Sequence, residues 1–260
     1  MRHAKRQAMA RDAAKQNSKT RGRSFALIRG LAAFAFVGLM GFGAYQVVVH
    51  PDTPLPRAWN PIQPLLVSDP VTPLTGWKLN RAAATLQSCL AALDGYAAVR
   101  NLADREDSAQ CHIRDRVDLR SVGDVRLNSV DTRCTIALRV AMWERHSLQP
   151  AARDILGTDL RRIDQIGSYS CRRMRTGNGT STQMSTHATA DAIDISGFGF
   201  ADGRQISLLR DWQGNDPEAA FLRAARDGAC DWFRLTLSPD FNSLHADHFH
   251  LQSTGWGSCR

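Results

Sequence analysis

Past Arg29 the chain carries no excess of charge. Nine of its 33 Lys and Arg residues precede Gly30, but of its 25 Asp and Glu residues only Asp12 does, so 24 of each sign remain. The net charge of +8 therefore belongs to a tail, and the body lacks the basic patch that nucleic-acid binding needs. There is no Cys-x-x-Cys pair, which argues against a thiolate zinc site or a thioredoxin-type redox site. Nothing after Gly177-Asn178-Gly179 supplies the lysine or helix start of a phosphate loop. Internal repeats and heptads are missing too. Disorder of the whole chain is excluded by 43% hydrophobic residues, enough to build a core at 260 residues.

What the first fifty residues do contain is a membrane address. Gly30 to Val49 is a run of 20 residues without a charge, and Gln46 is its one strongly polar member. As a helix it rises roughly 30 Å, the thickness of a hydrocarbon core. A cleaved signal peptide has a shorter apolar stretch and a shorter basic start, so the run reads as an uncleaved signal anchor, although small-x-small triplets occur at 33–35 and 41–43. Nine positive charges before the span hold the N-terminus in the cytoplasm. The expected organisation is a basic cytoplasmic tail over 1–29, a transmembrane helix over 30–49, a spacer over 50–75 and a domain over 76–260. Seven of the ten prolines fall between Pro51 and Pro73, a density that favours extended, semi-rigid chain.

All six cysteines (89, 111, 134, 171, 230 and 259) follow the span. An even number on the translocated side fits three disulfides in an oxidising space, with 89–111, 134–171 and 230–259 expected because each joins neighbouring elements. Helical spacing appears over Ala83–Val99 and Thr132–Ser147, with a short helix over Gln149–Leu156. Leu160–Met174 begins strand-like and Thr176–Gln183 reads as a loop. Ala190–Ile195, Arg204–Leu209, Asp231–Leu237 and Asp247–Gln252 read as strands. Pro217–Gly228 reads as a helix with proline near its start and glycine at its end. The expected fold is α+β, helices first and a small, mainly antiparallel sheet later, with flanking helices.

Three of eight histidines crowd into His245-Ala246-Asp247-His248-Phe249-His250, and His187 precedes Asp194 by seven residues. On a strand, His248 and His250 share a face. Asp194 lies between Ile193 and Ile195, where a buried carboxylate requires a strong partner. A metal ion is the partner that also explains the histidines: two imidazoles and one carboxylate around zinc leave a fourth position open, the arrangement used for catalysis. Each residue singly is as readily a satisfied surface or core side chain; the joint pattern carries the signal.

Ser185-Thr186-His187-Ala188-Thr189-Ala190-Asp191-Ala192-Ile193-Asp194 resembles the SxHxxGxAxD signature of zinc peptidases related to lysostaphin, the D-Ala-D-Ala peptidases and the hedgehog domain, and His248-Phe249-His250 resembles their HxH. More closely, the stretch from Cys89 to Cys259 resembles the bacterial extensin-like C-terminal domain family, through SYSCR at 168–172, STHATADAIDISGF at 185–198 and HADHFHL at 245–251. The name marks sequence similarity and does not imply a hydroxyproline-rich glycoprotein. The resemblance implies a hedgehog/D-Ala-D-Ala peptidase-like fold. It implies zinc ligands at His187, Asp194 and His250, a general base at Asp247, and His248 beside the metal water. Arg172, or its neighbour Arg173, would polarise the substrate. Ala190 stands where the wider signature has glycine; if that position needs φ > 0, alanine there costs on the order of 1 kcal/mol or more. His245 either orients Asp247 or ends the strand, and His112 and His146 receive no role.

The function these readings imply is a zinc-dependent peptidase, single-pass in the bacterial inner membrane with its domain in the periplasm, acting on the peptide part of peptidoglycan and not on nucleic acid. The rival is a non-catalytic wall-binding or scaffold module of the same fold.

Overall fold

The computed structural model describes Met9, residues 29–177 and residues 179–260. Apart from Met9 and Arg29, the basic tail lies outside the described residues. Two compact units are present, residues 1–62 and 63–260.

In the first unit, helix α1 (Arg29–Val49) is long and apolar enough to cross a membrane, with a mean hydropathy of 1.8 and no part of its apolar run buried against protein. Its last carbonyls, which have no partner inside the helix, are met by the following chain. Asn60 donates its side-chain N–H to the Val48 carbonyl at 2.9 Å, and the Thr53 hydroxyl bonds the Val47 carbonyl. The start of the proline-rich stretch is thus tied to the helix end.

The second unit begins earlier than residue 76. Leu65 and Val67 are buried with the core, and the Val67 N–H bonds the Ala92 carbonyl, so the latter part of the expected spacer is folded chain. After α2 (Thr75–Ala82), the expected helix over 83–99 is replaced by α3 (Leu86–Leu93) and strand β1 (Ala97–Asn101). Thr85 accounts for the break: its hydroxyl accepts the Ser88 N–H and starts α3 afresh, and Gly95 at φ +69° turns the chain into β1.

Strands β2 (Arg105–Ser108), β3 (Cys111–Ile113), β4 (Arg116–Val122) and β5 (Val125–Arg133) precede α4 (Cys134–Trp143), so strands and helices interleave and the order of helices before sheet does not hold. The helical path runs on from α4 through wide π turns at Glu144–Leu148 and Ala152–Leu156, on either side of α5 (Gln149–Ala151). Pro150 sits in that middle turn and has no N–H to donate. Then follow β6 (Leu160–Gly167), β7 (Arg173–Thr176), β8 (Gly179–Met184), β9 (Ala192–Phe200), β10 (Gln205–Ser207), α6 (Leu208–Asp211), α7 (Pro217–Trp232), β11 (Leu235–Leu237), β12 (Phe249–Gln252) and β13 (Ser258–Cys259).

The main sheet has the order β1-β4-β5-β6-β9-β12-β11-β13, with β10 also on β9; only the β5–β6 and β11–β13 pairs are parallel. The class is therefore α+β, as expected. One face of this sheet is dry. Ile193, Ile195, Phe198, Phe249 and Leu251 join the core with α4, in which every residue but Thr135 is buried. Trp143 meets Phe198 and Phe233 edge-on and donates its indole N–H to the Ala225 carbonyl of α7 at 2.9 Å. His146 is structural: its ring bonds the Val67 carbonyl at 2.9 Å.

The disulfides are Cys89–Cys134, Cys111–Cys171 and Cys230–Cys259. The last agrees with the sequence reading; the first two correct it. Pairing follows position in space rather than order along the chain: α3 packs on the start of α4, and β3 lies against the segment after β6.

Candidate metal centre

The open face of β9 carries the other alternation. Asp194 and Ser196 point away from the dry core that Ile193 and Ile195 enter. Antiparallel pairing sets His250 of β12 directly opposite Asp194, and Gly167 of β6 opposite it on the other flank. A third group arrives from the Thr186–Thr189 turn, where the Ser185 hydroxyl accepts the His187 N–H and starts the turn. His187 is buried, and its Nδ1–H donates to the Ser168 carbonyl at 2.9 Å, which turns Nε2 inward.

The three side chains converge. His250 Nδ1 lies 2.8 Å from Asp194 Oδ1, His187 Nε2 lies 3.2 Å from Asp194 Oδ2, and the two ring nitrogens are 3.1 Å apart. One ligand atom from each fits within 4.8 Å of the others. Protons serve this cluster poorly, because two imidazole nitrogens facing each other and one carboxylate form a set of electron-pair donors. A cation satisfies all three, and a His2Asp set suits zinc or a similar borderline ion. Burial alone would raise the Asp194 pKa; the facing His187 and His250 rings outweigh it and hold the carboxyl well below the ordinary range. Burial also lowers the pKa of His250, which favours its neutral, ligating form.

Two further expected residues stand at the rim. His248 Nδ1 bonds Asp247 Oδ1 at 2.7 Å, and its Nε2 lies 3.8 Å from Asp194 Oδ1. Asp247 is half exposed and keeps its second oxygen free for a visitor. His245 does not bond Asp247. It takes Asn242 Oδ1 at 2.7 Å and lies against the rings of His248 and His250, its pKa pushed down to about 4 by burial and then by the charge those two rings can carry. Arg172 stands at the root of the β7–β8 ribbon. Its carbonyl accepts the Ser185 N–H, its guanidinium bonds the Arg173 carbonyl at 3.4 Å, and it makes no hydrogen bond or ion pair to the three converging groups. Arg173 is spent inside the ribbon, on the Thr182 carbonyl.

Several supports went unread in the sequence. Ser168 acts through its backbone, so its residue type gives no signal; its hydroxyl also bonds Thr132 and the Ala192 carbonyl. Arg133 pairs with Asp191 at 2.6 Å, and Asp191 also takes the Thr189 and Ser253 hydroxyls, fastening the ligand turn to β5 and to the chain after β12. Ala190 does adopt the left-handed region, at φ +50° and ψ +31°, with its methyl fully buried. That conformation costs alanine roughly 1–2 kcal/mol. Glycine would relieve it, but would give up a buried methyl, about 0.8 kcal/mol, and about 0.4–1 kcal/mol through the freer unfolded chain. Ala190→Gly is therefore expected to leave stability within about 1 kcal/mol of wild type, whereas Ala190→Val adds a β-branch to a left-handed, filled site and loses about 3 kcal/mol or more. Thermal melts of the two variants check this; a valine variant no weaker than the glycine one contradicts it.

The family described as "Extensin-like protein C-terminus" matches residues 87–260, which include all six cysteines and every residue of the centre. No curated protein and no solved structure matches the chain.

Proposed function

The chain belongs to the extensin-like C-terminal family, and from its centre we propose that it is a zinc-dependent peptidase hydrolysing peptide bonds of peptidoglycan, among them bonds to D-residues, and that its fold is related to that of the D-Ala-D-Ala peptidases. We place it in the bacterial periplasm, held to the inner membrane by α1. The observation that supports this reading best is the convergence of His187, Asp194 and His250 beside a carboxylate, Asp247, that no structural metal site would need.

His187, Asp194 and His250 would hold the ion, which when bound supplies a Lewis acid and lowers the pKa of water toward about 7. The residues of the chain do the rest. The free oxygen of Asp247 accepts the proton of the attacking water and returns it to the leaving amine. His248 fixes the other oxygen and so aims the carboxylate. The Ser168 carbonyl fixes the His187 tautomer. The three disulfides suit an oxidising compartment.

Full-length protein in detergent, loaded with zinc, is expected to shorten the peptide stems of isolated muropeptides, and a chelator is expected to stop it. Mass spectrometry of the products also names the bond. Wild-type protein that holds zinc, binds the wall polymer and leaves every stem intact would favour the wall-binding module instead.

A further inference from the structure

Beside Ser196 the sheet is split. On one flank of β9, pairing with β12 reaches Ile195, opposite Phe249, and pairing with β10 starts at Gly197, opposite Ser207. Ser196 thus has no partner on that flank. A cleft of about 360 Å³ opens there, lined by Asp164, Ser196, Gly197, Ser207, Arg210 and Asp247. Asp194 and Ser196 share a face of the strand roughly 7 Å apart, and Asp247, which lines the cleft, bonds His248 at the rim of the centre.

Charge in this cleft is uneven. The Asp164 carboxylate is occupied by two hydrogen bonds from Arg162, at 2.8 and 3.1 Å. One oxygen of Asp247 is held by His248. Arg210 is different. Its side chain is 65% exposed, and its ion pair with Asp211 is long, 3.6 Å, to an oxygen that already accepts the Ser207 N–H at 2.7 Å. The guanidinium keeps most of its donors for something that enters the cleft, and a carboxylate matches its paired N–H groups best.

We propose that this cleft receives the substrate chain on one side of the bond to be cut, and that Arg210 recognises the free carboxylate of a chain end there. The volume accommodates a few small residues. This rests on the peptidase reading for the word substrate, but not for the binding itself.

The test uses full-length protein in detergent and two probes: a short acetylated peptide ending in D-alanine with a free carboxylate, and the same peptide as its amide. Wild type is expected to bind the acid at least about tenfold more tightly than the amide by calorimetric titration. Arg210→Gln should abolish that preference and Arg210→Lys should restore part of it. Cleavage, where it occurs, should show the change in KM with kcat within about twofold. Equal affinity for the two probes on wild type, failure to bind either, or a preference that survives Arg210→Gln overturns the assignment. The two readings fail separately. A preference without any cleavage sinks the peptidase and keeps the subsite, whereas cleavage of muropeptides without a preference does the reverse.

Discussion

Asp194→Ala is expected to empty the metal centre. Elemental analysis of the full-length protein should find about one zinc per chain in wild type and less than a tenth of that in the variant. Hydrolysis of muropeptides should fall by more than the roughly 10–100-fold that loss of an outer partner of a metal ligand costs. The reasoning is geometric. Asp194 is the member of the set that faces both rings, at 2.8 and 3.2 Å, and it is fixed by β6 on one flank and β12 on the other. The histidines alone would offer two neutral donors at a distance where they gain little from each other. The pH dependence has a definite sign. A carboxyl held below its ordinary pKa contributes stability above the unfolded value near 4, and loses that contribution as the pH falls through the folded value. Wild type should therefore keep the ion at neutral pH and release it on acidification, because metal ligands must be deprotonated. A well-folded wild type without zinc at neutral pH would remove the mechanism.

The cluster of His187, Asp194 and His250 that could hold a metal ion was partly legible in the sequence. Asp194 between two isoleucines had to face away from the core or be paired, and β9 realises that alternation with Ile193 and Ile195 buried. His250 was readable as a strand residue, but not as the partner opposite Asp194, since register is a property of two strands. The α7 helix was legible from Pro217 near its start, and the structure adds Asp216, whose side chain accepts the Ala219 N–H, and a helical path past Gly228 to Trp232. The five strands between residues 97 and 133 were not legible. In β4 the alternation is broken by a bulge between Leu119 and Ser121 and by Asp118, a buried carboxylate held by Ser129, Arg120 and Arg100. The β7–β8 ribbon is almost wholly exposed on both faces, so no apolar pattern marks it and Thr176–Gln183 reads as loop. The Cys89–Cys134 and Cys111–Cys171 pairings are not legible along the chain for a related reason. They join elements brought together by packing, and nothing along the chain records that α3 lies on α4.

Asp247→Asn is expected to keep the metal and lose the chemistry. The side chain is half exposed at the rim, outside the three converging groups, so the variant should fold, bind about one zinc per chain and melt within about 1 kcal/mol of wild type. If Asp247 carries the proton from water to the leaving amine, its amide cannot, and kcat should drop by about 10²–10⁴, the usual worth of a positioned acid–base group. His248 gives the contrast. Its Nδ1 holds one oxygen of Asp247 while its Nε2 faces Asp194, so it positions the carboxylate against the centre. His248→Gln should retain the base but let it swing, costing roughly tenfold in kcat, within the loss seen when a residue that orients a metal-site group is changed. The order of the two losses decides between roles. A larger loss in Asp247→Asn supports the carboxylate as proton carrier. A larger loss in His248→Gln would make the imidazole the carrier and Asp247 its support, a chain of contacts that the 2.7 Å bond between them would serve equally well.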